Sequence, residues 1–377
     1  MKPAFKLAAL AAALMLGQAA HAANAQLSAD LVAGMEPNTG NTSSPSNWRF
    51  APGQVFNGVA GALDGVARLS FTAASDGLGY ACSGSLLAGG QYVLTAGHCA
   101  DDFTSMTVQF GWYNGTAQVT RSVSVSDVYL NPQWNGTLDT GADIALIKLN
   151  APVTNINGYQ ISTTNDVGKQ VLVAGYGTTS VGSTNSATNW NDGNYGHYAY
   201  NTYDVLSSTF NRDIGTRTIN GDQWVYDPSF YVGGTYMSDF DSPTDANYNS
   251  LGRIASQYGG TWTSDAGLGA NEGLIAGGDS GGGDFVFVNG QWVVSGVHSW
   301  GWDNACGYFS LTGCNGRTGN KSSYGDLSGS TATFSHADWI ASIAGTQVVA
   351  VPEPQTYALL LAGLAVVGSL ARRRRSV

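Results

Sequence analysis

Short apolar runs separated by turn residues fill most of the chain from Val55 onward. The segments "VARLSF", "QYVLTAG", "MTVQFGWY", "RSVSVSDVYL", "DIALIKL" and "QVLVAGYG" each have the length of one strand, with turn residues between them. That spacing predicts an all-β protein, a barrel or a sandwich. A helical period emerges only in "SHADWIASIAG", residues 335–345. There Ser335 followed by Asp338 resembles a capping box, and Trp339, Ile340 and Ile343 share one face. Residues 183–262 break the strand rhythm. They are rich in Tyr, Asn and Gly and read as a long insertion decorating the barrel, or as a small subdomain. Within it "SDFDSPTDAN" gathers Asp239, Asp241 and Asp245. The EF-hand pattern and its glycine are missing, so these read as a solvated acidic loop and not as a calcium site.

The two ends depart from this pattern and read as addresses. "MKPAFKLAALAAALMLGQAAHA" has Lys2 and Lys6, an apolar run and a small-x-small site ending at Ala22, the layout of a secretory signal over residues 1–22. Residues 23–54 are polar and rich in Pro, Asn and Ser, and read as a leader or propeptide. At the far end an apolar stretch, Tyr357 to Ala371, precedes Arg372 to Arg375. It is shorter than the roughly 20 residues of a stable span. Transient membrane insertion, with the arginines on the cytoplasmic side and the body outside, is the expectation.

Removing both ends sharpens the charge picture. Lys2, Lys6 and the four arginines leave, and of the acidic residues only Glu353, so the body carries about −15. That excludes nucleic acid and anionic membrane as partners. Charged residues make up 11% of the chain, but 43% hydrophobic residues with Trp and Tyr throughout argue for a real core and not disorder. The 51 glycines favour a turn-rich β protein. Four cysteines remain, Cys82, Cys99, Cys306 and Cys314. In an exported chain an even count in two close pairs points to disulfides. A CxxC metal site is absent, and neither zinc nor another cofactor is expected.

Candidate chemistry centres on "GLIAGGDSGGGDFV", residues 273–286. Gly, Asp and Ser are ordinary turn residues, so a surface turn is one reading. The other is a nucleophilic serine on a tight glycine turn, with bare N–H groups aimed at an oxyanion. A serine hydroxyl needs a base and an orienting acid. Among His98, His197, His298 and His336, His98 arrives in "YVLTAGHC", a strand and a turn ending at Cys99. A Cys82–Cys99 bond would close a loop of about 17 residues, worth about 3 kcal/mol in the chain-entropy model, and would fix the backbone of His98. Asp143 stands directly before the apolar strand of "DIALIKL", where it could hold the Nδ1–H of His98.

In the order His, Asp, Ser, the segments "TAGHC", "DIALIKL" and "GGDSGGG" resemble the chymotrypsin/trypsin-like serine protease family, from about Val55 to Gly345 with the insertion between. The resemblance implies two antiparallel six-stranded β-barrels over residues 55–347 with the site in the cleft between them, the long insertion in the second, and a short C-terminal helix. It makes His98, Asp143 and Ser280 the catalytic triad and the N–H groups of Gly278 and Ser280 the oxyanion hole. Asp279 corresponds to the partner of a new N-terminal amine in mature enzymes. Val55 is a candidate terminus, although Gln54 precedes it where a basic residue is usual. Ser299, Trp300 and Gly301 match the "SWG" segment that supports the acid and pairs with substrate backbone. His298, one residue earlier, reads as a packing or hydrogen-bonding residue.

Departures from the family carry their own expectations. Ala276 stands where a cysteine usually precedes the nucleophile, so Cys306 pairs with Cys314 or stays free, and 302–316 forms its own loop near the pocket. Gly283 stands where the family often has Pro. At the base of the primary pocket stands Leu274, flanked by Ile275 and Ala276, which implies uncharged, apolar residues before the scissile bond. Asp303 and Glu272 are the carboxylates that could reverse that preference.

"VPEP" at 351–354, the apolar stretch and the arginine cluster together resemble a PEP-CTERM sorting signal over 351–377, with a plain membrane anchor as the simpler reading. The sorting resemblance implies an envelope sorting protease as partner, and export to the exterior or cell surface of a Gram-negative-type envelope. Function then divides into two classes. One is a serine endopeptidase acting on protein or peptide substrates; the other is a catalytically silent protease-like binding or adhesion protein. All three triad positions are filled, which favours the enzyme.

Overall fold

A computed structural model describes residues 45–182, 192–314 and 322–345. The expected signal peptide, most of the leader and the sorting segment lie outside the described residues. Among the described residues no helix is long and apolar enough to cross a membrane.

Two curled antiparallel sheets carry the fold. The first contains seven strands, ordered Val119–Val123, Ser105–Phe110, Val66–Thr72, Gly79–Leu86, Tyr92–Thr95, Ala145–Lys148 and Val128–Leu130. Alternation drives it: in Ser105–Phe110, Met106, Val108 and Phe110 are buried while the residues between them are not. The second sheet contains nine strands, with Gln170–Gly175, Gly283–Val288, Gln291–Trp302 and Leu327–Ala332 at its centre. Expectation was six strands in each. The first sheet is larger by the short strand Val128–Leu130 at one edge, which pairs with Ala145–Lys148. The second is enlarged by Arg49–Phe50, from the end of the supposed leader, by Val205–Leu206, and by Gln160–Ile161, which pairs in parallel with Gln291–Trp302.

One core serves both sheets. Leu69, Leu94, Leu146 and Ile147 of the first sheet cluster with Leu172, Phe285 and Val294 of the second. Each such side chain, fully buried, contributes about 1.5–3 kcal/mol. The cleft residues are therefore tied to rigid strands on both sides.

Residues 183–262 are not wholly decoration. The strand Gly196–Thr202 pairs with Gln170–Gly175, and Thr235–Asp239 pairs with Leu327–Ala332, so both belong to the second sheet. The remainder builds a second core with helices Ser207–Ile214 and Ser250–Tyr258, in which Phe210, Trp224 and Trp262 meet Trp300, Trp302 and Phe309. Its polar sequence hid this because the packing residues are aromatic and scattered.

Asp239 and Asp241 are buried, not solvated. The Leu251 amide donates to Asp239 and caps that carboxylate, and Asp245 caps a short turn through Asn247. At the C-terminal end the helix is Ala337–Ala344, with Ile340 buried. The capping box does not form, because Ser335 Oγ accepts the Gly234 amide at 2.8 Å instead. Residues 45–50 also pack firmly: Trp48 and Phe50 are buried, and Arg49 pairs with Asp192 at 2.6 Å.

Candidate active site

The strand Tyr92–Thr95 ends in a 3-10 turn, Gly97–Cys99, that carries His98. A Cys82–Cys99 disulfide ties this turn to the strand Gly79–Leu86. Asp143, fully buried, sits just ahead of the strand Ala145–Lys148. Its carboxylate accepts three hydrogen bonds: the His98 amide at 2.9 Å, His98 Nδ1–H at 2.7 Å and Ser299 Oγ–H at 2.5 Å. A side chain at 97 would crowd the site, because a Cβ there would come within 3.0 Å of the Trp134 ring and 3.2 Å of Asp143 Oδ1.

With Nδ1 committed, His98 has one nitrogen left. Nε2 is buried and without a hydrogen-bond partner among the described residues. Burial works against the charged ring, but the charge and hydrogen bond of Asp143, with Asp101 behind, outweigh it and hold the pKa above 6.5.

Ser280 reaches the same place from the other sheet. Its carbonyl accepts the Ser83 amide at 2.7 Å and lies 3.5 Å from Cys99 Sγ. A ring nitrogen of His98 in turn lies within 4.8 Å of both cysteine sulfurs, which the disulfide removes as metal ligands. His98 and the Ser280 backbone thus both border the Cys82–Cys99 disulfide.

The glycines around Ser280 have distinct reasons. Gly278 holds φ +96°, a conformation that side chains rarely adopt. At Gly281, with φ +80°, a Cβ would collide with Thr95 Oγ1 and the Ser83 carbonyl. Among the described residues neither the Gly278 nor the Ser280 amide donates a hydrogen bond to the protein. Ser83, unremarked in the sequence, secures this loop: its hydroxyl donates to the Gly278 carbonyl and accepts the Tyr176 amide, both at 2.9 Å. Only its place beside Cys82 in the motif could have flagged it.

Asp279 points inward. Its carboxylate accepts the amides of Gly177 at 2.7 Å and Ala276 at 3.0 Å, and burial pushes its pKa up to about 6. Val55 lies in a short surface hairpin, 58% exposed.

Leu274, Ile275 and Ala276 are all buried. Leu274 and Ile275 join Ser328, Ser330 and Asp284 around a cavity of about 10 Å³. Glu272 is turned elsewhere, its carboxylate accepting the Asp241 and Leu268 amides at 2.6 Å each. Asp303 lies close enough to the buried Asp326 to help raise its pKa to about 8, after burial itself and against three hydrogen bonds that lower it.

Ser299, Trp300 and Gly301 lie on the strand Gln291–Trp302, bonded on one side to Leu327–Ala332. Trp300 is fully buried under the second core. Cys306 and Cys314 form the second disulfide. His197 belongs to the Arg49–Asp192 pair, and His336 contacts the Gly141 carbonyl, so neither joins the triad.

The trypsin family model matches residues 59–222, which include His98 and Asp143 and stop short of Ser280, and the PEP-CTERM protein-sorting motif matches 350–375. Chymotrypsin-like elastase family member 1 of the dog, Canis lupus familiaris, is 35% identical over 98 residues, 24% of this chain and 36% of that protein. Human testisin is 34% identical over 87 residues, 20% of this chain and 27% of that protein. The chain therefore matches about a third of the length of these relatives. A solved structure of HL collagenase aligns with a TM-score of 0.50 at 20% identity, covering 80% of this chain and 98% of the other, and shows the same fold. In sequence and in fold this chain is similar to the trypsin-like serine proteases.

Proposed function

We propose that the chain is an exported serine endopeptidase in which Ser280 is the nucleophile, His98 the base and Asp143 the orienting acid. One observation carries the reading: a part-buried imidazole whose Nδ1 is committed to the buried Asp143 carboxylate and whose Nε2, itself shielded from solvent, has no hydrogen-bond partner among the described residues. Asp143 fixes the tautomer, so Nε2 is the basic nitrogen. Nε2 takes the Ser280 hydroxyl proton as Oγ attacks the peptide carbonyl, and later returns it to the leaving amine. The amides of Gly278 and Ser280 would receive the oxyanion, being open and held without competing partners. Water then releases the acyl group by the same route.

An apolar pocket base at Leu274 supports cleavage after uncharged, apolar residues, because a cation there would lose hydration without a partner. With a secretory signal ahead and the sorting motif behind, the body is delivered to the surface or exterior of a Gram-negative-type envelope and is handled by a sorting protease. A fluorophosphonate probe should label the mature protein and fail to label Ser280→Ala. Wild-type protein that resists the probe would favour the catalytically silent binding protein.

A further inference from the structure

We propose that His298 is a positioning residue of the oxyanion hole, an inference that rests on the serine-protease reading of Ser280. The ring lies fully buried on the strand Gln291–Trp302, between two partners. Nδ1 is 3.0 Å from the backbone carbonyl of Asp279, and Nε2 is 2.8 Å from Asp284 Oδ1. A carbonyl oxygen and a carboxylate only accept hydrogen bonds, and a neutral imidazole has one N–H to give. Two acceptors on two nitrogens require the imidazolium.

The carbonyl partner is what matters for catalysis. The Asp279 carbonyl and the Ser280 N–H belong to one peptide unit, which is planar and trans, so the two point in opposite directions. Holding the carbonyl toward His298, with the Gly282 amide as its other donor at 2.7 Å, turns the Ser280 N–H the other way. That N–H is one of the two proposed oxyanion donors. The Asp279 carboxylate meanwhile is met by backbone amides and, among the described residues, by no ammonium. His298 brings the positive charge to this loop through its backbone.

The titratable groups facing the ring are few. Asp284 stands on the strand Gly283–Val288, Asp279 on the loop, and Tyr203 behind Asp284, its hydroxyl donating to Oδ2 at 3.0 Å. The opposed strand presents Ser330. Burial lowers the pKa of such a ring, but the charges of Asp284 and Asp279 and their hydrogen bonds outweigh it and raise it above 6.5. As pH rises through that value the ring keeps one N–H and must release one partner. Activity should therefore carry an alkaline limb that belongs to His298.

The test compares His298→Gln and Asp284→Asn with the wild type. In His298→Gln, kcat should fall on the order of 100-fold, as for loss of one oxyanion donor, with KM nearly unchanged. In Asp284→Asn the alkaline limb should move to lower pH. Nitrogen-15 NMR of the wild-type histidines, assigned with His298→Gln, should show both ring nitrogens of His298 protonated at pH 7. A lower Tm with wild-type kcat and an unmoved limb would overturn the proposal, as would one bare ring nitrogen. Fluorophosphonate labelling of the wild type separates the two readings. Labelled protein with wild-type kcat in His298→Gln sinks only the positioning role, whereas unlabelled protein sinks the serine-protease reading and the positioning role with it.

Discussion

Two histidine–aspartate pairs, one part-buried and one fully buried, stand near the Ser280 loop, and they differ in one nitrogen. His98 and Asp143 meet at 2.7 Å, His298 and Asp284 at 2.8 Å. In the first pair the remaining nitrogen has no hydrogen-bond partner among the described residues; in the second it faces the Asp279 carbonyl. A nitrogen with nothing bound can take and return a proton, and one already donating cannot. The same two residue types thus make a base in one place and a fixed charge in the other. What the far nitrogen meets decides which.

Removing the base or the nucleophile should break this comparison most severely. His98→Ala or Ser280→Ala should lower kcat by roughly 10⁴–10⁶-fold while leaving Tm within a few degrees, since the residual rate reflects only binding and the oxyanion donors. His298→Gln, at about 100-fold, should remain well above that floor. Equal losses in His98→Ala and His298→Gln would erase the distinction between a base and a support. Peptide hydrolysis with active-site titration reads the difference.

The pocket beside the second pair gives the next largest effect. Leu274 and Ile275 line the same small cavity as Asp284, but the Asp284 carboxylate is already engaged by His298 and Tyr203. A substrate Arg brought against Leu274 in the proposed pocket would meet no free carboxylate among the described residues, at a cost of several kcal/mol. Leu or Phe before the scissile bond should therefore exceed Arg in kcat/KM by about 100-fold or more. A preference for Arg would show that a carboxylate reaches the pocket, and Asp303→Asn and Glu272→Gln would identify which.

The first pair was legible in the sequence and the second was not, for a physical reason. His98 and Asp143 stand at the ends of short apolar strands, and a disulfide brackets one of them. Each stands in a short contiguous motif, and the order of those motifs with the Ser280 turn carried the family resemblance. His298 sits inside a twelve-residue strand where nearly every side chain is buried, so no alternation distinguishes it. Its partners come from the nucleophile loop and the adjacent strand. The insertion failed to read for the same reason: Thr235–Asp239 is buried throughout, and its pairing with Leu327–Ala332 spans almost ninety residues of chain. The missing helix cap is a smaller case, in which Ser335 found a partner a hundred residues away.

The acid limb of the pH profile sharpens the comparison further. His98 in its free state has a pKa above 6.5, raised by Asp143 against the effect of burial. Its protonated form is no base, so kcat/KM should fall about tenfold per unit as pH drops below that value. Asp143→Asn should move this limb and leave the alkaline one in place. If both limbs move together, the two pairs titrate as one system.

The smallest effect concerns carboxylates that have no histidine at all. Asp204, Asp239, Asp241 and Glu272 are buried near one another. Burial, then the charges of Asp239, Glu272, Asp204 and Asp265, push Asp241 up to about 10, far from the 3.8 of a free side chain. A raised carboxylate pKa means the folded chain keeps a proton that the unfolded chain has released. Stability from this group is therefore highest below pH 4 and declines as pH rises toward 10. Asp143 and Asp284 each meet a ring N–H, whereas Asp241 Oδ1 is buried without a hydrogen-bond partner among the described residues. Asp241→Asn keeps the shape, removes the ionisable group and retains an oxygen for Asn249, which donates to Oδ2 at 3.5 Å. Thermal unfolding should show Tm raised by about 2–4 °C at pH 8, a gain near 1 kcal/mol for a body of this size, and little change at pH 4. A Tm that falls at pH 8, or rises equally at both values, would mean that the cluster is held by something other than protons.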